Sequence, residues 1–204
     1  MNAGSLSDDG SPAPTRPAGR PATIDPDAVA ALALRLFAER GYERTSMEDI
    51  ARAAGIARKS LYRYFASKAD LVWGGMDPVL EASGGAPGTG GDHDGDLLAW
   101  LRRVAVAGAA TIPDLSVARG RLRIIAAHPE LASRGHEALA PQRTSIRDHL
   151  LARGCPPDAA DYVSAAYIGV TFAAWTRWAA GTDPDPAPYL TAALDVLRLP
   201  GHAP

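Results

Sequence analysis

The chain has 204 residues, of which 47% are hydrophobic and 22% charged, with a net charge of −2 and a pI near 6.2. That length holds one or two small domains with a real core, and the charge excludes a globally basic protein, so any nucleic-acid surface must be local. The one cysteine, Cys155, excludes an intramolecular disulfide and suits a reducing cytoplasm. Residues 1–22 are rich in Gly, Ser, Pro and Ala and nearly devoid of large apolar side chains. Burial there cannot offset the entropy of ordering, so a disordered tail is expected. Its Arg16 and Arg20 could reach a minor groove, although a solubilising tail is the plainer expectation.

The first helix has a clear start: Asp25 can cap it, Pro26 takes its first position, and Ile24 can staple against Val29. Val29, Leu32, Ala33, Leu36 and Phe37 make one apolar stripe, and Gly41 ends it. Thr45 and Glu48 then have capping-box spacing, with Ile50, Ala51 and Ala54 as the apolar face and Gly55 as the stop. A second short helix follows, carrying Leu61, Tyr64 and Phe65 at helical spacing. Small Ala51 permits a close crossing, Ile56 fills the angle, and the pattern is that of a helix-turn-helix. From Ala57 to Lys68 there are four bases (Arg58, Lys59, Arg63, Lys68) and no acid, and Lys59 and Lys68 are the only lysines in the chain. A basic second helix in such a motif points to DNA.

This region resembles the DNA-binding domain of the tetracycline-repressor (TetR) family. The resemblance rests on Phe37-Ala38-Glu39-Arg40-Gly41-Tyr42, Thr45-Ser46, Ile50-Ala51, Ala54-Gly55-Ile56, Leu61-Tyr62-Arg63-Tyr64-Phe65 and Ser67-Lys68, and it covers about residues 23 to 83. It implies that Tyr42 packs across the turn after the first helix. Two positions depart from the family's pattern. Ala57 stands where serine or threonine is usual, removing a side-chain cap worth roughly 1 kcal/mol. Arg58-Lys59-Ser60 replaces the commoner lysine-glycine-threonine, which bears on the operator sequence rather than on the docking mode.

Ser67 and Asp70 form a further capping box, opening a helix expected to run to about Leu80 with Leu71, Val72 and Met76 on its apolar face. Lys68-Ala69-Asp70-Leu71-Val72-Trp73-Gly74-Gly75, with Arg121-Leu122-Arg123-Ile124-Ile125 and His128-Pro129-Glu130-Leu131, resembles the branch of the family associated with mycofactocin-type regulators. Residues 83–95 read as a flexible linker, in which Asp92-His93-Asp94 lacks the further ligands a metal site needs. Helices are expected from Asp96 to about Ala110 and from Pro113 to about Ala127. Another opens at Pro129, is interrupted at Pro141, and continues from Arg143 to Arg153, where Gly154 stops it. The stretch from Asp158 to Ala180 is long and apolar nearly all round, so it must be covered on more than one side. A turn over Thr182 to Pro188 leads to a last amphipathic helix from Tyr189 to Leu199.

The fold class is therefore all-α. It comprises a disordered tail (1–22), an N-terminal three-helix DNA-binding domain with a helix-turn-helix (23–83), and a C-terminal helical effector-binding and dimerisation domain (84–204). No stretch reaches the roughly 18 apolar residues of a membrane span, no leader-like apolar core is evident, and a cytoplasmic bacterial protein is expected. No nucleotide loop, GxSxG, HExxH or Cys/His ligand cluster occurs, so neither an enzyme nor a cofactor is expected.

The second helix of a helix-turn-helix enters the major groove with its N-terminal residues at the base edges. Arg58, Lys59 and Ser60 are thus expected to read bases, with guanines favoured in each half-site. Thr45, Ser46, Tyr62, Arg63, Tyr64 and Lys68 are expected to hold phosphates of a double-stranded, palindromic operator. The resemblance implies a homodimer formed through 158–180 and 189–199. It also implies an effector pocket among the central helices, for which Trp100, Ile112, Arg121, Arg123, His128, Tyr167, Thr171 and Trp175 are candidates. The two arginines suggest that a small hydrophobic effector carries an anionic group. A regulator without an effector, acting constitutively or under a protein partner, is the alternative, and its mark would be a filled core.

Overall fold

A computed structural model of the protein describes residues 24–74 and 97–197, and every regular element within them is a helix. The expected tail, the linker over 83–95, the helix beyond Gly74 and residues 198–199 lie outside the described residues, and the last helix runs over Ala187–Leu194 rather than from Tyr189 to Leu199.

The N-terminal unit, expected from the sequence to bind DNA, is built from α1 (Pro26–Arg40), α2 (Met47–Ala53), α3 (Arg58–Tyr64) and α4 (Lys68–Trp73). Asp25 caps α1 by accepting from the amides of Asp27 and Ala28 at 3.0 and 3.2 Å, with Pro26 at the first turn. Gly41, at φ +93°, ends the helix in a backbone conformation that favours glycine. The capping box of α2 is shifted one residue from the expected Thr45/Glu48 pair: Ser46 is the cap and Asp49 its partner. Thr45 is instead 1% exposed, and its hydroxyl donates to the carbonyls of Gly41 (2.9 Å) and Leu36 (3.4 Å). The reason is tertiary. Once Gly41 turns the chain back over α1, the threonine faces inward and its hydroxyl satisfies the end of that helix.

Between α2 and α3 the chain makes a Schellman turn. Gly55 sits at φ +66°, its amide bonds Arg52 O at 3.2 Å, and the Ile56 amide bonds Ala51 O at 3.0 Å. Ala51 and Leu61 are buried where the two helices cross, and Ile56 packs against the same core. As the sequence predicted, α3 starts at Ala57 without a side-chain cap. The Ser67–Asp70 capping box is present, but α4 ends at Trp73, where Gly74 takes an extended conformation (φ −66°, ψ 160°).

The C-terminal part comprises α5 (Leu97–Ala110), α6 (Leu115–Ala127), α7 (Pro129–Ser133), α8 (Gly135–Ala138), α9 (Ala140–Ala152), α10 (Pro157–Ala180) and α11 (Ala187–Leu194). Two boundaries differ from expectation for one reason: caps and first-turn prolines start helices. Asp114, not Pro113, opens α6, its carboxylate accepting from the Ser116 and Val117 amides. Pro141 lies in the first turn of α9, so it begins that helix rather than interrupting one. Helix α10 packs on α6, α9 and α11, and α11 packs on α5.

The two parts share a core. Ile125 and Leu131 belong to the same buried cluster as Val29, Phe37, Leu61 and Val72, so α1 and α4 rest directly on the α6–α7 region. Polar links reinforce this. Arg134 pairs with Asp70 at 2.9 Å and donates to the Ser67 hydroxyl at 3.3 Å, while the Trp73 indole donates to Leu131 O at 3.2 Å.

Candidate DNA interface and interior cavity

Leu61 and Phe65 turn inward and anchor α3, which leaves Arg58, Lys59, Tyr62, Arg63 and Tyr64 outward and Ser60 half-buried. Tyr62 and Tyr64 are 40% and 42% exposed. Arg58 lies over the Tyr62 ring at 5.4 Å and Arg63 over the Tyr64 ring at 5.1 Å, so the cations are held on aromatic faces rather than ranging freely. Ser46, exposed at the start of α2, is on the surface of the same unit.

Two of the expected phosphate contacts do not face outward. Thr45 is buried as described. Lys68 donates from Nζ to Tyr42 O at 2.7 Å and stands 4.3 Å above the Tyr42 ring, so its ammonium fastens the turn after α1 to the start of α4. Sequence reading counted it as a base in a basic run. The aromatic that captures it is 26 residues away, which periodicity does not reveal.

Between α1 and the C-terminal helices lies a mostly apolar cavity of about 320 Å³. Five of the eight candidate lining residues meet there: Ile112, Arg121, Tyr167, Thr171 and Trp175. The Arg121 Nε is buried without a hydrogen-bond partner, and burial lowers the guanidinium pKa while the charge of Asp27 raises it. Burial also pushes the Tyr167 phenol well above its ordinary range, so it stays a neutral hydroxyl. Thr171 bends its hydroxyl back to Tyr167 O at 2.7 Å and so lines the wall without offering a free donor.

The other three candidates do other work. Trp100 packs in the α5–α10–α11 core, stacked 6.2 Å from His149 and with Arg153 over its ring at 5.5 Å. Arg123 donates to Ala179 O (2.6 Å) and Gly181 O (2.9 Å), satisfying orphan carbonyls at the end of α10. His128 packs on Tyr42 with ring centroids 4.7 Å apart and lies between Glu130 (3.4 Å) and Glu43 (3.8 Å). Glu43, His128 and Glu130 bring potential ligand atoms within 4.8 Å of one another, but both carboxylates are open to solvent. The trio is a polar contact between the two parts of the chain.

Sequence reasoning missed Asp27 and Ala31 of α1, which also line the cavity. Asp27 is a first-turn acid of α1, and nothing local to it indicates a cavity. It missed Phe172 as well, which lines the cavity and stacks 6.2 Å from Trp73 of α4. The i, i+4 series of Tyr167, Thr171 and Trp175 could have been widened to its neighbour.

On the outer face of α10, Tyr162 is 74% exposed, and Ala165, Gly169 and Ala173 continue a stripe of small side chains at four-residue spacing. On α11, Pro188, Ala192 and Val196 (72% exposed) repeat that spacing and run just past the helix end. No helix among the described residues is long and apolar enough to cross a membrane.

Comparison with known proteins agrees with this fold. Residues 30–72 match the bacterial regulatory proteins of the tetR family, and residues 96–200 match the MftR C-terminal domain. The chain is 31% identical over 188 residues to MftR of Mycobacterium tuberculosis, named as a mycofactocin biosynthesis transcriptional regulator, covering 88% of this chain and 92% of that protein. Among solved structures, the fatty acid degradation regulator FadR from Bacillus halodurans superposes with a TM-score of 0.52 at 20% identity, over 84% of this chain and 99% of that one. NalD of Pseudomonas aeruginosa, the secondary repressor of the MexAB-OprM multidrug efflux pump, gives 0.51 at 23% identity, over 83% and 93%. At these identities the two structures bear on the fold alone.

Proposed function

The chain belongs to the tetR family of bacterial regulatory proteins, with the C-terminal domain of the MftR branch, and from that premise we propose that it is a dimeric repressor released by a small effector. It is a DNA-binding transcriptional regulator of a family whose members are not enzymes. Arg58, Lys59 and Ser60 read bases, with arginine or lysine on guanine O6 and N7. Ser46, Tyr62, Arg63 and Tyr64 hold the phosphates and fix the register. Two such modules must lie about one helical turn, roughly 34 Å, apart on a palindrome. The open stripes on α10 and α11 support a two-fold dimer through these helices, and the protein acts in the cytoplasm.

The observation that carries the effector reading is the cavity itself. A regulator without an effector has no use for about 320 Å³ of apolar space, whose surrounding atoms forgo packing contacts. The wall includes α1 and, through Phe172 and Trp73, touches α4. An occupant can therefore press on both helices that join the DNA-binding unit to the rest. An effector binding the released conformation about 100-fold more tightly would shift the equilibrium by about 2.7 kcal/mol. A hydrophobic molecule suits the apolar wall, and Arg121 offers an anionic group one guanidinium beside the carboxylates of Asp27 and Asp114.

The test is to select an operator from a random DNA pool, including the region upstream of the gene, and to measure its affinity with and without candidate effectors. Binding of a palindrome by a dimer, weakened by an effector, is expected. Loss of the response in Ala109→Phe, which fills the cavity from α5, would tie the effect to that site. A selected pool without a consensus would overturn the operator reading. Tight operator binding indifferent to every hydrophobic ligand would favour the effector-free alternative.

A further inference from the structure

The cavity wall carries few polar side chains, and most of them are wet or already engaged. Asp27 and Asp114 are exposed, and Asp114 caps α6 by accepting from the Ser116 and Val117 amides. Gln142 and Arg121 are half-buried. Thr171 is buried, but its hydroxyl donates to Tyr167 O at 2.7 Å. Tyr167 differs from all of these. It is 1% exposed, it lines the cavity, and its hydroxyl makes no hydrogen bond to any described residue. A buried hydroxyl without a partner carries a desolvation cost that phenylalanine, of nearly the same shape, would avoid. Burial also keeps the phenol protonated, so what it offers the cavity is a donor.

We propose that the Tyr167 hydroxyl reads the effector, donating to a carbonyl oxygen of an uncharged and otherwise apolar molecule such as a ketone or an ester. The proposal rests on the effector reading above and names the chemical class of the ligand. A carbonyl only accepts, so it pairs with the phenol proton without burying a further donor. A pure hydrocarbon would leave the phenol unpaired. A carboxylate would join a wall on which Asp27 and Asp114 already outnumber the one guanidinium of Arg121. The size is bounded as well, since about 320 Å³ is roughly twice the space that admits one benzene, which suits a two-ring skeleton.

The first measurement needs no ligand. If the phenol has no structural partner, Tyr167→Phe in the full-length protein should melt at or above the wild-type temperature. A clear fall in melting temperature would reveal a hydrogen bond that holds the fold and would overturn the proposal. The second measurement is calorimetric binding of three probes on one skeleton: tetralin, 2-tetralone and tetralin-2-carboxylate. Tetralin leaves water more readily than the ketone, so the telling quantity is the change in the ketone-to-hydrocarbon affinity ratio between the two proteins, from which that difference cancels. The ratio should fall by roughly 5-fold or more in Tyr167→Phe, while tetralin binds the variant at least as tightly as the wild type. The carboxylate should bind the wild type more weakly than the ketone. A ratio that stays within about 2-fold would overturn the role of Tyr167 and leave the effector reading standing. A carboxylate that binds more tightly than the ketone, and loses that advantage in Arg121→Gln, would overturn the uncharged class. If none of the three binds either protein, this proposal and the effector reading fall together.

Discussion

Gly169 offers the sharpest test of the dimer face. It lies within the 24-residue α10, where glycine costs about 1 kcal/mol relative to alanine, and a Cβ placed there would meet nothing within 4 Å in the single chain. A residue that weakens its own helix without serving its own core suits a close approach by a second copy. Gly169→Arg should therefore leave the protomer folded and its helix slightly favoured, by up to about 1 kcal/mol. In the dimer it would bring an arginine from each protomer into the interface, and each buried, unpaired charge costs several kcal/mol. Dimerisation should fail. With one module instead of two, operator affinity should drop by roughly 10²–10⁴-fold, the usual advantage of linked sites. Sedimentation velocity at micromolar protein, circular dichroism melting and fluorescence anisotropy on operator DNA read the three quantities. A variant that melts like the wild type, stays dimeric and binds operator unchanged would refute the placement of the interface.

Lys59→Ala should cost roughly 1–3 kcal/mol of operator affinity and relax preference at one position of each half-site, seen by mobility shift on single-base variants. Lys68→Met should act on stability, by about 1–2 kcal/mol in a urea titration, because it loses the Tyr42 carbonyl and ring. The salt dependence of DNA binding should keep its slope, whereas a slope reduced by about one would restore Lys68 as a phosphate contact. Hydrogen bonds from the Ser46 hydroxyl and amide hold the Asp49 carboxyl below the ordinary carboxylate range. Its stabilising effect is complete above the unfolded-state pKa near 4 and is lost as the pH falls through the lower folded value. Asp49→Asn should accordingly flatten the acid limb of stability below about pH 4, and an unchanged limb in urea titrations from pH 6 to 2.5 would count against the capping box.

The DNA-binding unit was legible because its signals are local. A proline in a first turn, glycines at positive φ, acids and serines at capping distance, and apolar residues at helical spacing each act within one or two turns of chain. Where the reading slipped, two local patterns competed: Thr45/Glu48 and Ser46/Asp49 have the same spacing, and only the fold of Thr45 onto α1 decides between them. The cavity was half legible. Tyr167, Thr171 and Trp175 share one face of a strongly apolar helix, and Ile112 and Arg121 flank it, whereas Trp100, Arg123 and His128 were drawn into other partnerships by residues 15 or more positions away.

By itself the sequence determined the all-helical class, the helix-turn-helix and the basic run on its second helix, since these depend on propensity, capping and periodicity along a short stretch. Tertiary structure alone decided which charges are available. Lys68 and Lys59 look alike in the chain, yet one is captured by Tyr42 while the other stays exposed. Arg121 and Arg123 lie one residue apart on either side of Leu122, yet one faces the cavity and the other ties down the end of α10. A long cation's role is set by the partner within its reach, and that partner is brought there by packing between distant helices rather than by its neighbours in sequence.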